Sequence, residues 1–168
     1  AGDEINDAIA VYLKKVHNLV VGERTSEEIK IRIGSAFPDN DYDMKSMDVR
    51  GLHLLSGLPR SINLQAGDLR EAMADPLNKI VEAVKRTLER TPPELAADIA
   101  DRGIMLAGGG ALVRGISDLV SHETGIFTHV AEDPLLCVVN GCGQVLEDFK
   151  RLRRVLDTPE FARNSSTG

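Results

Sequence analysis

Apolar residues recur at spacings of three and four from Ile5 through Ile9, Leu13 and Val16 to Val20, which puts one stripe on a helix that Gly22 can end. Thr25 followed by Glu28 has the form of a capping box, in which each side chain satisfies an orphan backbone amide. With Ile29, Ile33 and Ala36 beyond it, the pattern predicts a second helix from about Ser26 to Ala36. Pro38, Asp39, Asn40 and Asp41 read as a loop, because proline lacks an amide donor and Asp and Asn bond their own backbone in turns. Between Lys45 and Leu64 the period changes to alternation, in Met47 and Val49 and again in Ile62 and Leu64. Gly51, Gly57 and Pro59 punctuate it, and the prediction is short strands in a small antiparallel element.

Helical spacing returns at Leu77, Ile80, Val81, Val84 and Leu88, with Asp75 as the cap, Pro76 in the first turn and Pro92 and Pro93 closing the segment. A short helix from Glu94 to Asp101 is expected to turn Leu95 and Ile99 inward, with Gly103 as the left-handed residue after it. The run Ile104 to Ala107 then leads into Gly108, Gly109 and Gly110 and a helical pattern at Leu112, Ile116, Leu119 and Val120: strand, glycine turn, helix. Gly125 ends that helix and Ile126 to Val130 forms a second strand, so the unit is βαβ-like with parallel pairing. Asp133 and Pro134 open a last long helix whose buried side is expected to carry Leu135, Val138, Val139, Cys142, Leu146, Phe149 and Leu152.

Composition narrows the function classes. The 168 residues suit one compact domain or one lobe of a larger protein, and 42% hydrophobic with 27% charged residues is enough for a folded core. A net charge of -6 offers no bulk attraction for nucleic acid or anionic membranes. No apolar run approaches the roughly 20 residues of a membrane span. The acidic start Ala1 to Asn6 lacks the basic and apolar regions of a secretory signal. The absent initiator Met fits either processing or a piece of a longer chain. Cys137 and Cys142, without metal-ligand spacing, are expected to be buried free thiols of a reducing cytoplasm.

Two stretches carry candidate chemistry. Glycines after a strand let a ligand approach the backbone, and free amides at the start of the following helix favour negative charge. The triple glycine is neither a P-loop nor a GxGxxG fingerprint, however, and a plain tight turn explains it equally well. Glu27, Glu28 and Lys30 can project from a helix toward a ligand's hydroxyls and ring nitrogens, although a solvated helix face accounts for the same spacing. The four histidines lack ligand spacing, and the basic run Lys150, Arg151, Arg153 and Arg154 suits a helix C-terminus better than a nucleic-acid patch.

Taken in order, a set of motifs resembles the C-terminal half of the MreB family of bacterial actin-like proteins. They are Gly2-Asp3-Glu4-Ile5-Asn6, Gly22-Glu23-Arg24-Thr25-Ser26-Glu27-Glu28-Ile29-Lys30, Ile33-Gly34-Ser35-Ala36, Asp48-Val49-Arg50-Gly51, Pro92-Pro93-Glu94-Leu95, Ala107-Gly108-Gly109-Gly110-Ala111-Leu112 and Ala131-Glu132-Asp133-Pro134. The resemblance covers about residues 1–155. It implies an α/β, ribonuclease-H-like actin-type ATPase lobe, the second of two and incomplete, with a small α+β insert. Residues 1–33 and 77–155 would form the larger subdomain, 34–74 the small outer one and 156–168 a flexible tail.

By the same resemblance, Gly108, Gly109, Gly110 and Ala111 would pack against the nucleoside and α-phosphate of ATP. Ser26, Glu27, Glu28 and Lys30 would approach its ribose and base from the other side. The intact protein would be an Mg-dependent ATPase. Both phosphate-binding loops lie outside this chain, so the piece alone is expected to be inactive. Implied partners are further copies in a filament, a membrane-anchored cytoskeletal adaptor and the cell-wall synthesis machinery. Membrane contact would come through the missing lobe, placing the filaments at the cytoplasmic face of the cell membrane in control of rod shape. A stand-alone nucleoside-binding or protein-interaction module without polymerisation is the alternative. An Hsp70-type chaperone ATPase is disfavoured by the absence of a substrate-binding domain after the last helix. Missing strands would leave an open sheet edge and exposed apolar surface.

Overall fold

The computed structural model describes residues 2–148. Phe149, Leu152, the basic run and the tail expected at 156–168 lie outside the described residues. The elements in chain order are α1 (Gly2–His17), β1 (Leu19–Val20), α2 (Glu23–Ile33), α3 (Asn40–Asp43), β2 (Ser46–His53) and β3 (Pro59–Gln65). They continue with α4 (Ala66–Glu89), α5 (Pro93–Arg102), β4 (Ile104–Leu106), a 3₁₀ turn (Gly109–Leu112), α6 (Ile116–Thr124), β5 (Thr128–Val130) and α7 (Cys137–Glu147).

The alternating segment folds as expected into an antiparallel hairpin, with Met47 opposite Leu64 and Val49 opposite Ile62. β1 adds to its outer edge, pairing Leu19 with His53 and Val20 with Leu52, to give the order β1-β2-β3. The parallel pair is also present: Ile104 to Leu106 of β4 run beside Thr128 to Val130 of β5, with α6 as the crossover. One apolar core draws on both sides of the expected division at residue 33. Ile5, Ile9 and Leu13 of α1 and Ile29 and Ile33 of α2 meet Val49, Leu64, Leu69, Met73 and Leu77 in a single cluster.

Several elements begin or end elsewhere than the pattern predicts, each for a local reason. α1 stops at His17 because Asn18 turns into the left-handed region (φ 51°) and Leu19 and Val20 are taken by the sheet, so Val20 leaves the helical stripe, while Val16 stays in the helix but is exposed. α2 starts three residues early, with Gly22 as its cap and no side chain capping it, so the Thr25 to Glu28 box does not form. Ala36 lies beyond the helix and is buried in a bend. The stretch expected as a loop holds a one-turn helix, α3, whose cap Asp39 accepts the Tyr42 amide at 3.1 Å.

α4 is 24 residues long and runs through Pro76, which is buried inside it rather than opening it. The helix continues because Leu69, Met73 and Leu77 extend the stripe one turn at a time into the core, and that burial outweighs the single backbone bond proline removes. α5 and α7 bury no residue. Leu95 is 53% exposed, and the expected inner face of α7 is open, with Val138 at 64% and Leu146 at 75% exposure. The thiols are likewise not buried: Cys137 is half-buried and Cys142 exposed, both unpaired. An apolar groove of about 660 Å³, lined by Ile80, Val84, Leu88, Ile99 and Ile104 among others, runs between the second half of α4, α5 and β4.

Truncating Ile9, which is wholly buried, to alanine is expected to cost about 2–5 kcal/mol of stability, whereas Leu55→Ala at the exposed hairpin tip changes it by less than about 0.5. Urea denaturation of the two variants side by side checks this.

Candidate functional site

The glycine turn comes directly after β4. Gly108 has φ 83° and ψ 173°, a region that essentially only glycine occupies, and its amide donates to the Pro134 carbonyl at 2.7 Å. That bond ties the turn to the segment leading into α7. In place of the helix expected from Leu112, the chain forms a four-residue 3₁₀ turn, closed by Ala111 N–H to Gly108 O at 3.1 Å and Val113 N–H to Gly110 O at 3.2 Å. The α-helix proper begins only at Ile116. Among the described residues, no backbone carbonyl takes the amides of Gly109 or Gly110. A Cβ on Gly110 would meet nothing within 4 Å, and one on Gly109 only Leu135 Cδ2 at 3.6 Å. Ala111 is buried and anchors the turn. The result is a side-chain-free backbone surface with two available N–H donors, suited to an anion or a flat ring at close approach.

The second stretch lies on α2. Glu27 is exposed. Glu28 is also exposed and accepts from Arg32 Nη1 at 3.1 Å, one turn along the helix. Lys30 reaches across to α1, where its Nζ donates to the Gly2 carbonyl at 3.4 Å. Ser26 is fully buried and its hydroxyl turns back to the Gly22 carbonyl at 3.4 Å, so it packs the helix start rather than facing solvent. Among the described residues no hydrogen bond or ion pair joins this stretch to residues 108–111. Each stretch is internally assembled; the two sit on separate elements.

Sequence reasoning missed a cluster next to the glycine turn. Arg114 Nη2 donates to Asp39 Oδ2 at 2.9 Å, and the guanidinium carbon lies 4.3 Å from the centre of the Tyr42 ring. The Arg114 bond, helped by the Tyr42 amide, holds the Asp39 carboxyl below the usual carboxylate range, and Asp39 in turn raises Arg114. Residues 39 and 114 are 75 positions apart, and no local pattern pairs them. A second ion pair, Lys85 Nζ to Glu123 Oε2 at 2.7 Å, fastens α6 to α4, lowering Glu123 and raising Lys85. Among the described residues no group of three or more His, Cys, Asp or Glu side chains is placed to hold a metal ion. No helix there is long and apolar enough to cross a membrane.

Comparison with solved structures defines the class first. The fold matches MreB5 of Spiroplasma citri bound to AMPPNP with a TM-score of 0.84 at 33% identity, over 92% of this chain and 46% of that one. A MamK double helical filament, at 17% identity, shares the fold alone, with a TM-score of 0.64 over 80% of this chain and 40% of the MamK chain. The architecture is therefore a partial actin-type α/β lobe.

Sequence similarity then identifies the family. The family model described as MreB/Mbl protein matches residues 1–154, and the chain belongs to that family. It is 42% identical over 152 residues to the cell shape-determining protein Mbl of Bacillus subtilis (strain 168), covering 90% of this chain and 45% of the relative. It is 46% identical over 146 residues to the cell shape-determining protein MreB of Escherichia coli (strain K12), covering 87% and 42%. The chain thus spans less than half the length of the curated relatives it matches.

Two outcomes are expected from this geometry. Gly108→Ala forces an L-residue into a glycine-only conformation and destabilises by about 1–3 kcal/mol, while Gly110→Ala, with open space and no positive φ, leaves the melting temperature within about a degree or two of the parent. The Asp39 carboxylate has a lowered pKa, so its contribution is fully present above about pH 4 and is lost as the pH falls through that lowered value. The stability gap between the parent and Asp39→Asn accordingly narrows on acidification below a pH of about 4, measured by urea unfolding across a pH series.

Proposed function

We propose that this chain is the nucleotide-facing part of the second lobe of a cell shape-determining, actin-like protein. In the proposal, the whole protein binds ATP with Mg, polymerises into membrane-associated filaments, and organises cell-wall synthesis through an adaptor at the cytoplasmic face of the membrane. The observation that carries the reading is the open glycine turn: Gly109 and Gly110 offer free amides and no side chain, in a family whose solved member from Spiroplasma citri is bound to AMPPNP. Gly108, Gly109, Gly110 and Ala111 take the nucleoside and α-phosphate side. Glu27, Glu28 and Lys30 take the ribose and base, and Ser26 supports them from inside α2.

This assignment explains why the turn avoids a regular helix. A 3₁₀ turn of four residues keeps its first amides directed outward within a short span, while Ala111 and Val113 pin its end into the protein. In this reading hydrolysis belongs to the whole protein, whose phosphate-binding loops the resemblance places outside this chain.

The test uses Gly110→Val in the full-length protein. A Cβ there meets no protein atom within 4 Å, so the variant is expected to keep its fold while its branched side chain intrudes on the surface proposed for the nucleoside. ATP affinity measured by calorimetric titration is expected to fall at least about tenfold, and filament formation followed by light scattering falls with it. Unchanged affinity in the folded variant sinks the reading.

A further inference from the structure

The two walls of the proposed cleft touch each other through neither hydrogen bond nor ion pair among the described residues, yet a third set of residues connects them. Past the glycine turn the chain turns left-handed at Gly115 (φ 73°), where a Cβ would meet Phe37 Cβ at 2.9 Å and Phe37 N at 3.0 Å. Only glycine permits that approach. It brings Ala36 N–H to the Arg114 carbonyl at 2.8 Å and pairs Ser35 with Arg114 in a parallel bridge. The Arg114 side chain then continues the connection, stacking at 4.3 Å on Tyr42 and donating to Asp39. Tyr42 is buried, and its hydroxyl donates to the Arg32 carbonyl in the last turn of α2 at 3.1 Å. Lys45 Nζ lies 4.6 Å from the centre of the same ring.

We propose that Arg114, Asp39 and Tyr42 form a strut that sets the spacing between the glycine turn and α2, making them positioning residues for the bound adenine nucleotide. The proposal rests on the nucleotide-binding role assigned to the turn. Residue chemistry supports it: only a planar guanidinium can lie on the ring and bond a carboxylate at its edge together, which an ammonium cannot reproduce. Only tyrosine supplies both the ring for Arg114 and the hydroxyl for α2. The strut reaches the nucleotide by fixing where the amides of Gly109 and Gly110 stand relative to Glu27 and Lys30, a displacement that binding affinity registers and overall stability need not.

In the full-length protein, ATP affinity and melting temperature are measured together for Gly110→Val, Arg114→Ala, Arg114→Lys and Tyr42→Phe. Arg114→Ala is expected to weaken ATP binding about tenfold and Tyr42→Phe, which keeps the ring, about threefold. Arg114→Lys restores little of the loss, and the Arg114→Ala, Tyr42→Phe double variant binds no worse than Arg114→Ala alone, because both act along one path. If Gly110→Val weakens binding while Arg114→Ala, Arg114→Lys and Tyr42→Phe all bind ATP as the parent does, changing only the melting temperature, the strut is overturned and the nucleotide reading stands. If Gly110→Val also binds like the parent, both fall.

Discussion

The structure depends on the burial of one continuous stripe of α4 against α1 and α2. Leu69, Met73 and Leu77 enter the same apolar cluster as Ile5, Ile9, Leu13, Ile29 and Ile33, and the hairpin closes that cluster through Val49 and Leu64. Each of these side chains contributes on the order of 1.5–3 kcal/mol by leaving water, far more than any exposed ion pair supplies. Because the stripe repeats along one helix face, α4 has to stay helical through Pro76, and the proline is accommodated instead of ending the helix. The orientation of α2, and with it Glu27, Glu28 and Lys30, is set by how Ile29 and Ile33 seat in this core.

The same distribution explains what the sequence made legible. The hairpin, the parallel pair around the glycine turn and the helical character of residues 2–17, 23–33 and 77–88 were legible in the apolar pattern, whereas the first eleven residues of α4, ahead of Leu77, were not. Where the pattern misled, a distant partner decided the matter. Val20 has helical spacing from Val16 but pairs with Leu52 in the sheet, and Thr25 and Glu28 have capping spacing but α2 starts at Glu23. The stripe from Leu135 to Leu146 has the period of a buried helix, yet the described residues leave it open to solvent. Amphipathic spacing reports that a face is apolar, not that something covers it.

The candidate site was legible in its parts but not in its assembly. Glycines after an apolar strand announce a backbone surface by residue type alone, and the positive φ of Gly108 and the unclaimed amides of Gly109 and Gly110 agree with that. Which side chain faces a ligand is a finer matter. Ser26 and Glu27 are adjacent in sequence, but helical geometry sends one into the core and the other to solvent. The pairing of Arg114 with Asp39 and Tyr42 left no local trace, since Arg114 comes from a distant stretch brought alongside α3 by the close approach at Gly115.

Burial is unevenly distributed along the chain. From residue 93 to 148 the buried residues are only Ala111, Val113, Ile116, Val120 and Thr128, and all but Thr128 lie in the turn or in the stretch through α6. The glycine turn therefore stands on a thin apolar base, where few contacts oppose local opening. Its position has to be held by discrete links to the larger core: Val113 and Ile116 within the cluster, the Ala36 to Arg114 backbone bond, the Arg114 ion pair and the Lys85 to Glu123 pair. A few bonds to a rigid partner define the geometry of the turn without burying it. Because Val113 and Ile116 belong to the core cluster while the ion pairs lie at the surface, the turn is fastened to the rest of the chain from inside and outside at once.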